Sequence, residues 1–335
     1  VSARRPVIAF AMTDSVRERV FPEALMREYE AVADVAGSLT EFDSAQARAI
    51  LADVEVLVTG WGAPRLDAAL LDAAPRLEAV LHAAGTVKPH LSPEVLERGV
   101  RVSSAAAANA VPVAEYAVAM IVLAGKRVLP IARRYSGLQD DFDVEASFPG
   151  MGNYGQRIGI VGASKIGRIV IDMLGSYAFE VVVHDPYLTD AEAAELGVTA
   201  VALDELLRTS DVVSVHAPSL PSTQNLIDAR GIGLMPTGTT LVNTARGEII
   251  DQDALTRRVV AGELFAILDV TVPWILEADH PLYTSENALL TPHIAGSLGA
   301  ELRRLSAAML DELRRIVRGE LLAHEIEPDL LAITA

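Results

Sequence analysis

Residues 158–170, IGIVGASKIGRIV, combine a short apolar run, a glycine turn and the start of a helical pattern. Gly162 and Gly167 hold the first and third places of a G-x-G-x-x-G frame, and Ser164 stands in the second. The first glycine permits the tight turn, and the third lets a helix pack closely on the strand before it. Such a turn leaves backbone N–H groups at the helix start, where a dinucleotide pyrophosphate can lie. Ser164 is small and keeps a donor for a phosphate oxygen, and Lys165 adds positive charge beside it. Asp185 ends the next apolar run, EVVVHD, 18 positions after Gly167 (185 − 167). An acid at that distance accepts the adenine-ribose hydroxyls and repels a 2′-phosphate, and no arginine follows in HDPY, so NAD is favoured over NADP.

Three further segments carry charged or titratable groups at the ends of expected strands: 241–251 (LVNTARGEIID), 268–274 (LDVTVPW) and 291–297 (TPHIAGS). Open α/β sheets bind their ligands at such strand ends.

The elements that must position these groups alternate between short β-branched runs and helical patterns, the signature of parallel α/β architecture. In the first third, strands are expected at 7–10, 54–59, 77–81 and 100–102, with helices between them at 67–73 and 93–98. A long helix is expected over 111–134, with Pro112 near its first turn, where proline is tolerated. A Gly/Asp/Pro-rich surface loop follows at 135–156. The alternation resumes with strands near 158–161, 181–184, 212–215, 240–242 and 266–270. A final amphipathic helix at 300–318 follows the hinge GSLG at 296–299 and could return to the first domain. The expected fold is α/β with two doubly wound parallel-sheet domains: 1–106 with 298–335, and 107–297.

The whole chain bounds the chemistry further. Its 335 residues suit two domains, and about half are apolar. It has no cysteine, which removes disulfides, thiolate catalysis and Cys-ligated metals; no metal is expected. A net charge of −17 argues against nucleic acid or an anionic membrane as partner. The start, VSARRPVIAF, lacks the apolar run of a signal peptide, and the longest apolar run, near 117–124, is too short for a bilayer. A cytoplasmic protein is expected.

With AVPVAEY at 110–116, His216–Pro218 with Thr223, NTARG at 243–247 and TPH at 291–293, the chain resembles the D-isomer-specific 2-hydroxyacid dehydrogenase family over nearly its whole length. The resemblance implies a flavodoxin-like substrate domain, a Rossmann NAD-binding domain, and a cleft that closes on both ligands. By position, Arg246 would bind a 2-oxo acid and polarise its ketone. His293 would be the general acid/base, since only histidine titrates near neutral pH unaided. Gly85 and Thr86 match the loop whose N–H groups hold the substrate carboxylate, and Asp269 matches the acid near the nicotinamide. The remaining cofactor contacts would be Ile166, Pro186, Ala217, Pro218, Thr223, Thr244, Ala245 and Ala295, beside Ser164, Lys165, Asp185, Arg246 and His293. The family also implies a homodimer through the NAD domain, with the helix from Val111 at or near the contact.

Two departures bear on the chemistry. The family places a glutamate five residues after the acid that is Asp269 here, where it pairs with the catalytic histidine; this chain has Trp274. An indole offers one donor and a π face but no acceptor. Either Glu277 or Asp279 reaches back to His293, or His293 works unsupported, or turnover is largely lost. In the loop after Gly85, Thr86 stands for a glycine and Lys88 for an acid; Lys88 is either solvated or a cation favouring a second acidic group on the substrate. Trp61, after the strand ending at Thr59, is placed to line the substrate site. The expected function is an NAD-dependent oxidoreductase interconverting a D-2-hydroxy acid and its 2-oxo acid. The alternative is an NAD(H)-binding sensor or scaffold with little turnover.

Overall fold

A computed structural model describes residues 4–327 of the chain. It has two units, Val1–Ala110 with Ser297–Ala335, and Val111–Gly296. The extreme ends of the first expected domain, 1–3 and 328–335, lie outside the described residues. The first division falls between Ala110 and Val111, inside the helix Ala106–Gly125.

The first unit is a five-stranded parallel sheet of β1 (Val7–Ala11), β2 (Asp34–Leu39), β3 (Val56–Thr59), β4 (Ala79–His82) and β5 (Arg101–Ser104). Its order, β2-β1-β3-β4-β5, is flavodoxin-like. Strands β3 and β4 are buried throughout, as a sheet covered on both faces requires. The unexpected strand is β2, whose sequence DVAGSL lacks a β-branched run. It is an edge strand with a register shift where Ala9 meets Gly37, so pairing with β1 overrides its weak propensity. The helix Leu302–Arg318 belongs to this unit: Leu305, Met309, Leu310 and Leu313 share a core with Phe10, Phe21 and Tyr29. Glu312, on the same helix, is buried and accepts from Ser103 Oγ and from the N–H groups of Ala323 and His324, which ties the segment after the helix to β5.

The second unit is a seven-stranded parallel sheet of β6 (Arg157–Val161), β7 (Glu180–His184), β8 (Thr199–Ala200), β9 (Val212–Val215), β10 (Thr240–Asn243), β11 (Phe265–Leu268) and β12 (Ala288–Leu290). Its order, β12-β11-β10-β9-β6-β7-β8, is the Rossmann order with one more strand beyond the usual edge. The short edge strands β8 and β12 have no pattern long enough to read from sequence. The long helix differs from expectation. It begins at Ala106, so Pro112 lies inside it, and it stops at Gly125. Arg127 adopts a left-handed conformation (φ 52°), and a second helix runs over Val128–Leu138. Ala106–Gly125 is long and apolar enough to cross a membrane by length and composition. Its Ala114, Ala117, Val118, Ile121 and Ala124 pack in the core of the second unit with Ile158, Ile160 and Val170.

Candidate active site

The site grows from the C-terminal ends of β6, β7, β9, β10 and β11, and from the turn after β12. Only glycine fits the turn after β6. Gly162 has φ 100°, and a Cβ there would stand 2.6 Å from Ala217 N; one on Gly167 would stand 2.1 Å from Gly162 O. Ser164 caps the helix Lys165–Leu174 by accepting from Gly167 N at 3.3 Å. Its own O–H proton remains to be donated, and the N–H groups of Lys165 and Ile166, in the first turn, have no intrahelical acceptor. Asp185 lies across this turn: Oδ2 accepts from Ala163 N (2.7 Å) and Oδ1 from Tyr187 N (2.8 Å). Each oxygen keeps a lone pair for a ribose hydroxyl. A dinucleotide therefore fits what the chain offers: a free hydroxyl and two free backbone donors, a close-approach turn and a fixed acid. Pro186 is exposed, next to that acid.

After β9, His216 is buried and shares a hydrogen bond between Nε2 and Ser214 Oγ (2.9 Å). Burial pushes its pKa down to about 4. Ala217 is buried against Gly162, and Thr223 ties down the loop by donating to Pro218 O.

After β10, Asn243 folds the turn that presents Arg246: Oδ1 accepts from Ala245 N and Nδ2 donates to Arg246 O, both at 2.9 Å. Thr244 is buried beside it. Arg246 is half-buried and donates to Ala245 O. Among the described residues no carboxylate forms an ion pair with it, so its charge is open to an anionic ligand.

Asp269, after β11, is 1 % exposed. Its carboxylate accepts from Thr291 Oγ1 (2.6 Å), Ile294 N (2.8 Å) and Ala295 N (2.9 Å). It thereby clamps the turn that carries His293, whose φ of 55° is rare for a residue with a side chain. His293 N donates to Asp269 O and Thr291 O, both at 3.0 Å. Tyr116, from the long helix, bonds to Thr291 Oγ1 at 2.9 Å and extends the clamp.

The His293 ring is half-buried. Burial lowers its pKa below the usual imidazole value; the Asp269 charge acts upward and the Arg246 charge downward. Among the described residues Nδ1 has no hydrogen-bond partner, so neither Glu277 nor Asp279 reaches it. The Trp274 indole lies against it instead, with ring centroids 4.7 Å apart and planes at 31°.

In the first unit, Gly85 and Thr86 follow β4. A Cβ on Gly85 would stand 3.0 Å from Asn109 Nδ2, and the other end of that amide accepts from Ser297 N. Thr86 Oγ1 accepts from Lys88 N. Lys88 is half-buried, and burial lowers its pKa. His82, at the end of β4, bonds to Thr59 Oγ1 at 2.8 Å; burial, helped by His90, pushes its pKa down to about 4. Trp61, just past β3, is 39 % exposed.

The structure thus groups Arg246, Asp269 and His293 at strand ends of one sheet, which also carries the turn of Ser164, Lys165 and Ile166; Gly85, Thr86 and Trp61 belong to the other unit. Sequence reasoning missed Asn243 as the former of the arginine turn, Thr291 and Tyr116 as the outer clamp, and Gln252, which braces the Trp274 loop. The NTARG and TPH runs contained Asn243 and Thr291; nothing local marked Gln252.

The family model for the D-isomer specific 2-hydroxyacid dehydrogenase, NAD binding domain, matches residues 118–295. D-3-phosphoglycerate dehydrogenase of Mycobacterium tuberculosis is 33 % identical over 261 residues, 77 % of this chain and 48 % of that protein. Hydroxypyruvate reductase of Thermotoga maritima is 29 % identical over 267 residues, 79 % of this chain and 85 % of that protein. A phosphoglycerate oxidoreductase from Rhizobium etli shares the fold, with a TM-score of 0.83 at 21 % identity over 97 % of this chain and 99 % of that one. The chain spans about half the length of the phosphoglycerate dehydrogenases it matches. With a glycine turn and acid fitted to a dinucleotide, and a family match across the sheet that carries them, this chain belongs to the D-isomer-specific 2-hydroxyacid dehydrogenase family, and NAD is its cofactor.

Proposed function

We propose that the protein interconverts a D-2-hydroxy acid and its 2-oxo acid, with His293 as general acid/base and Arg246 as the substrate-binding cation. The observation that carries this reading is the unpaired, half-buried Arg246 on the same sheet edge as a clamped histidine whose protonation its charge opposes. Bound NAD supplies or accepts the hydride at C2 of the substrate. In reduction, Arg246 holds the carboxylate and draws electron density toward the ketone oxygen, while His293 gives that oxygen a proton. Oxidation reverses both transfers, and in either direction His293 regains its starting state by exchanging one proton with water. Asp269 acts through the turn it clamps rather than on the substrate. Gly85 and Thr86 are proposed to offer backbone N–H groups to the carboxylate, and Trp61 an apolar surface to the substrate side chain. The dehydrogenase and reductase names of the relatives support the reaction class.

The test is a panel of small, branched, aromatic, dicarboxylic and phosphorylated 2-oxo acids with NADH, followed by nicotinamide absorbance. Turnover of at least one member supports the reading; silence across the panel, with NADH bound, contradicts it. Silence would favour the second reading, an NAD(H)-binding sensor or scaffold, for which the unpartnered Nδ1 of His293 beside Trp274 speaks. We also propose a homodimer formed through the NAD-binding unit. Light scattering should return twice the 35.6 kDa of the chain, and a mass of one chain at micromolar concentration would contradict it.

A further inference from the structure

We propose that Trp274 is the positioning residue of His293, its indole covering the imidazole where the family has an acid and keeping the ring neutral, with Nε2 as the working nitrogen. This rests on the reading of His293 as the acid/base group.

The contact is built into the fold. Thr271 Oγ1 donates to Pro273 O (2.8 Å) and Trp274 O (3.2 Å), which curls the loop on itself. Gln252 grips the same loop from the helix Gln252–Val260, which precedes it in the chain: Val272 N donates to its Oε1 at 2.9 Å, and its Nε2 donates to Val272 O. The Val272 side chain lies over Gly247, the residue after Arg246; a Cβ on Gly247 would stand 2.7 Å from Val272 Cγ2. The loop therefore runs from beside Arg246 to His293 and carries Trp274 on a braced backbone. On the other side, the φ of 55° at His293 and the two bonds from its N–H fix where the imidazole starts. Trp274 is 64 % exposed, so packing in a core does not explain its place.

The chemistry follows from Nδ1. Protonated imidazole has two N–H groups, and the one on Nδ1 would be buried without an acceptor, which disfavours that form. The indole face attracts a cation, but less than an ionised acceptor does, and it does not accept the N–H in the manner of a carboxylate. Of the charged groups around the ring, Asp269 favours protonation and Arg246 opposes it, while burial opposes it more than either acts. The neutral tautomer that carries its proton on Nε2 leaves only a lone pair at Nδ1, and it satisfies the ring at least expense. At neutral pH such a histidine is uncharged, and it accepts the substrate hydroxyl's proton on Nε2 in oxidation only after passing to the tautomer protonated on Nδ1, one proton leaving Nε2 for water as Nδ1 takes another. It is seldom charged for reduction. The reduction rate should therefore fall with rising pH earlier than an ordinary imidazole would make it, and oxidation should persist to lower pH.

The test is an NMR titration of the His293 imidazole in the intact protein, with the signal assigned by its loss in His293→Gln and the tautomer read from the nitrogen shifts. In the wild type the midpoint should lie below 6.5, with the proton on Nε2. Trp274→Phe should keep both features. Trp274→Ala should let water reach Nδ1 and raise the midpoint, and Trp274→Glu should raise it by about one pH unit or more. The exposure of Trp274 makes these variants compatible with folding. An unmoved midpoint and tautomer in both Trp274→Ala and Trp274→Glu would overturn the proposal. The titration needs no turnover: a protein silent on every 2-oxo acid whose His293 still responds to Trp274 would sink the proposed reaction alone, and an active enzyme with an indifferent His293 would sink this inference alone.

Discussion

At the scale of single residues, the site is held by side chains that bond to backbone as well as to each other. Asp269 is the clearest case, with one carboxylate meeting Thr291, Ile294 and Ala295 around a left-handed histidine. Asp269→Ala removes the acceptor for two backbone N–H groups and a hydroxyl, and should destabilise the second unit by roughly 2–4 kcal/mol. Chemical denaturation followed by NADH protection reads this, and a loss below about 0.5 kcal/mol would contradict the clamp. Arg246 was legible in a short run with an expected strand before it, whereas His293 follows a strand that the sequence did not show and was marked only by the TPH run that carries the resemblance. Gln252 was not, because its partner, Val272, lies 20 residues away and a glutamine on a helix carries no signal of what it will bond.

At the scale of elements, the strand–turn–helix at Arg157–Leu174 is set by sterics. The periodic apolar run and the two glycines made it readable, since the constraints are local. Gly167→Ala would drive a methyl into Gly162 O, so the turn must open and the donors at Lys165 and Ile166 must move. NADH affinity should fall roughly tenfold or more, equivalent to at least 1.4 kcal/mol; fluorescence titration measures it, and an unchanged affinity would contradict the close approach. The edge strands β2, β8 and β12 escaped the sequence for the opposite reason: their residues are weak strand formers, and neighbouring strands impose their conformation. The break at Arg127 was equally hidden. Its guanidinium donates to Thr240 Oγ1 and Gly238 O and lies over the Phe265 ring, contacts more than a hundred residues away.

At the scale of the whole molecule, each unit buries one neutral histidine, His82 in the first and His216 in the second. Unfolded, each binds a proton as pH falls through 6.5; folded, each resists until about 4. The unfolded chain therefore binds more protons in that window, and stability is lost as pH drops through it, on the order of 3 kcal/mol for each histidine. Thermal midpoints between pH 8 and pH 4 should fall below about pH 6.5, less steeply in His82→Gln and His216→Gln. Equal slopes in all three proteins would contradict neutral burial. The central claim concerns His293. Single-turnover oxidation of bound NADH should be compared in wild type and His293→Ala, using the 2-oxo acid that the wild type reduces fastest. The account predicts a loss of roughly 10²–10⁴-fold in the chemical step with NADH affinity unchanged. A variant that transfers hydride at the wild-type rate would contradict it.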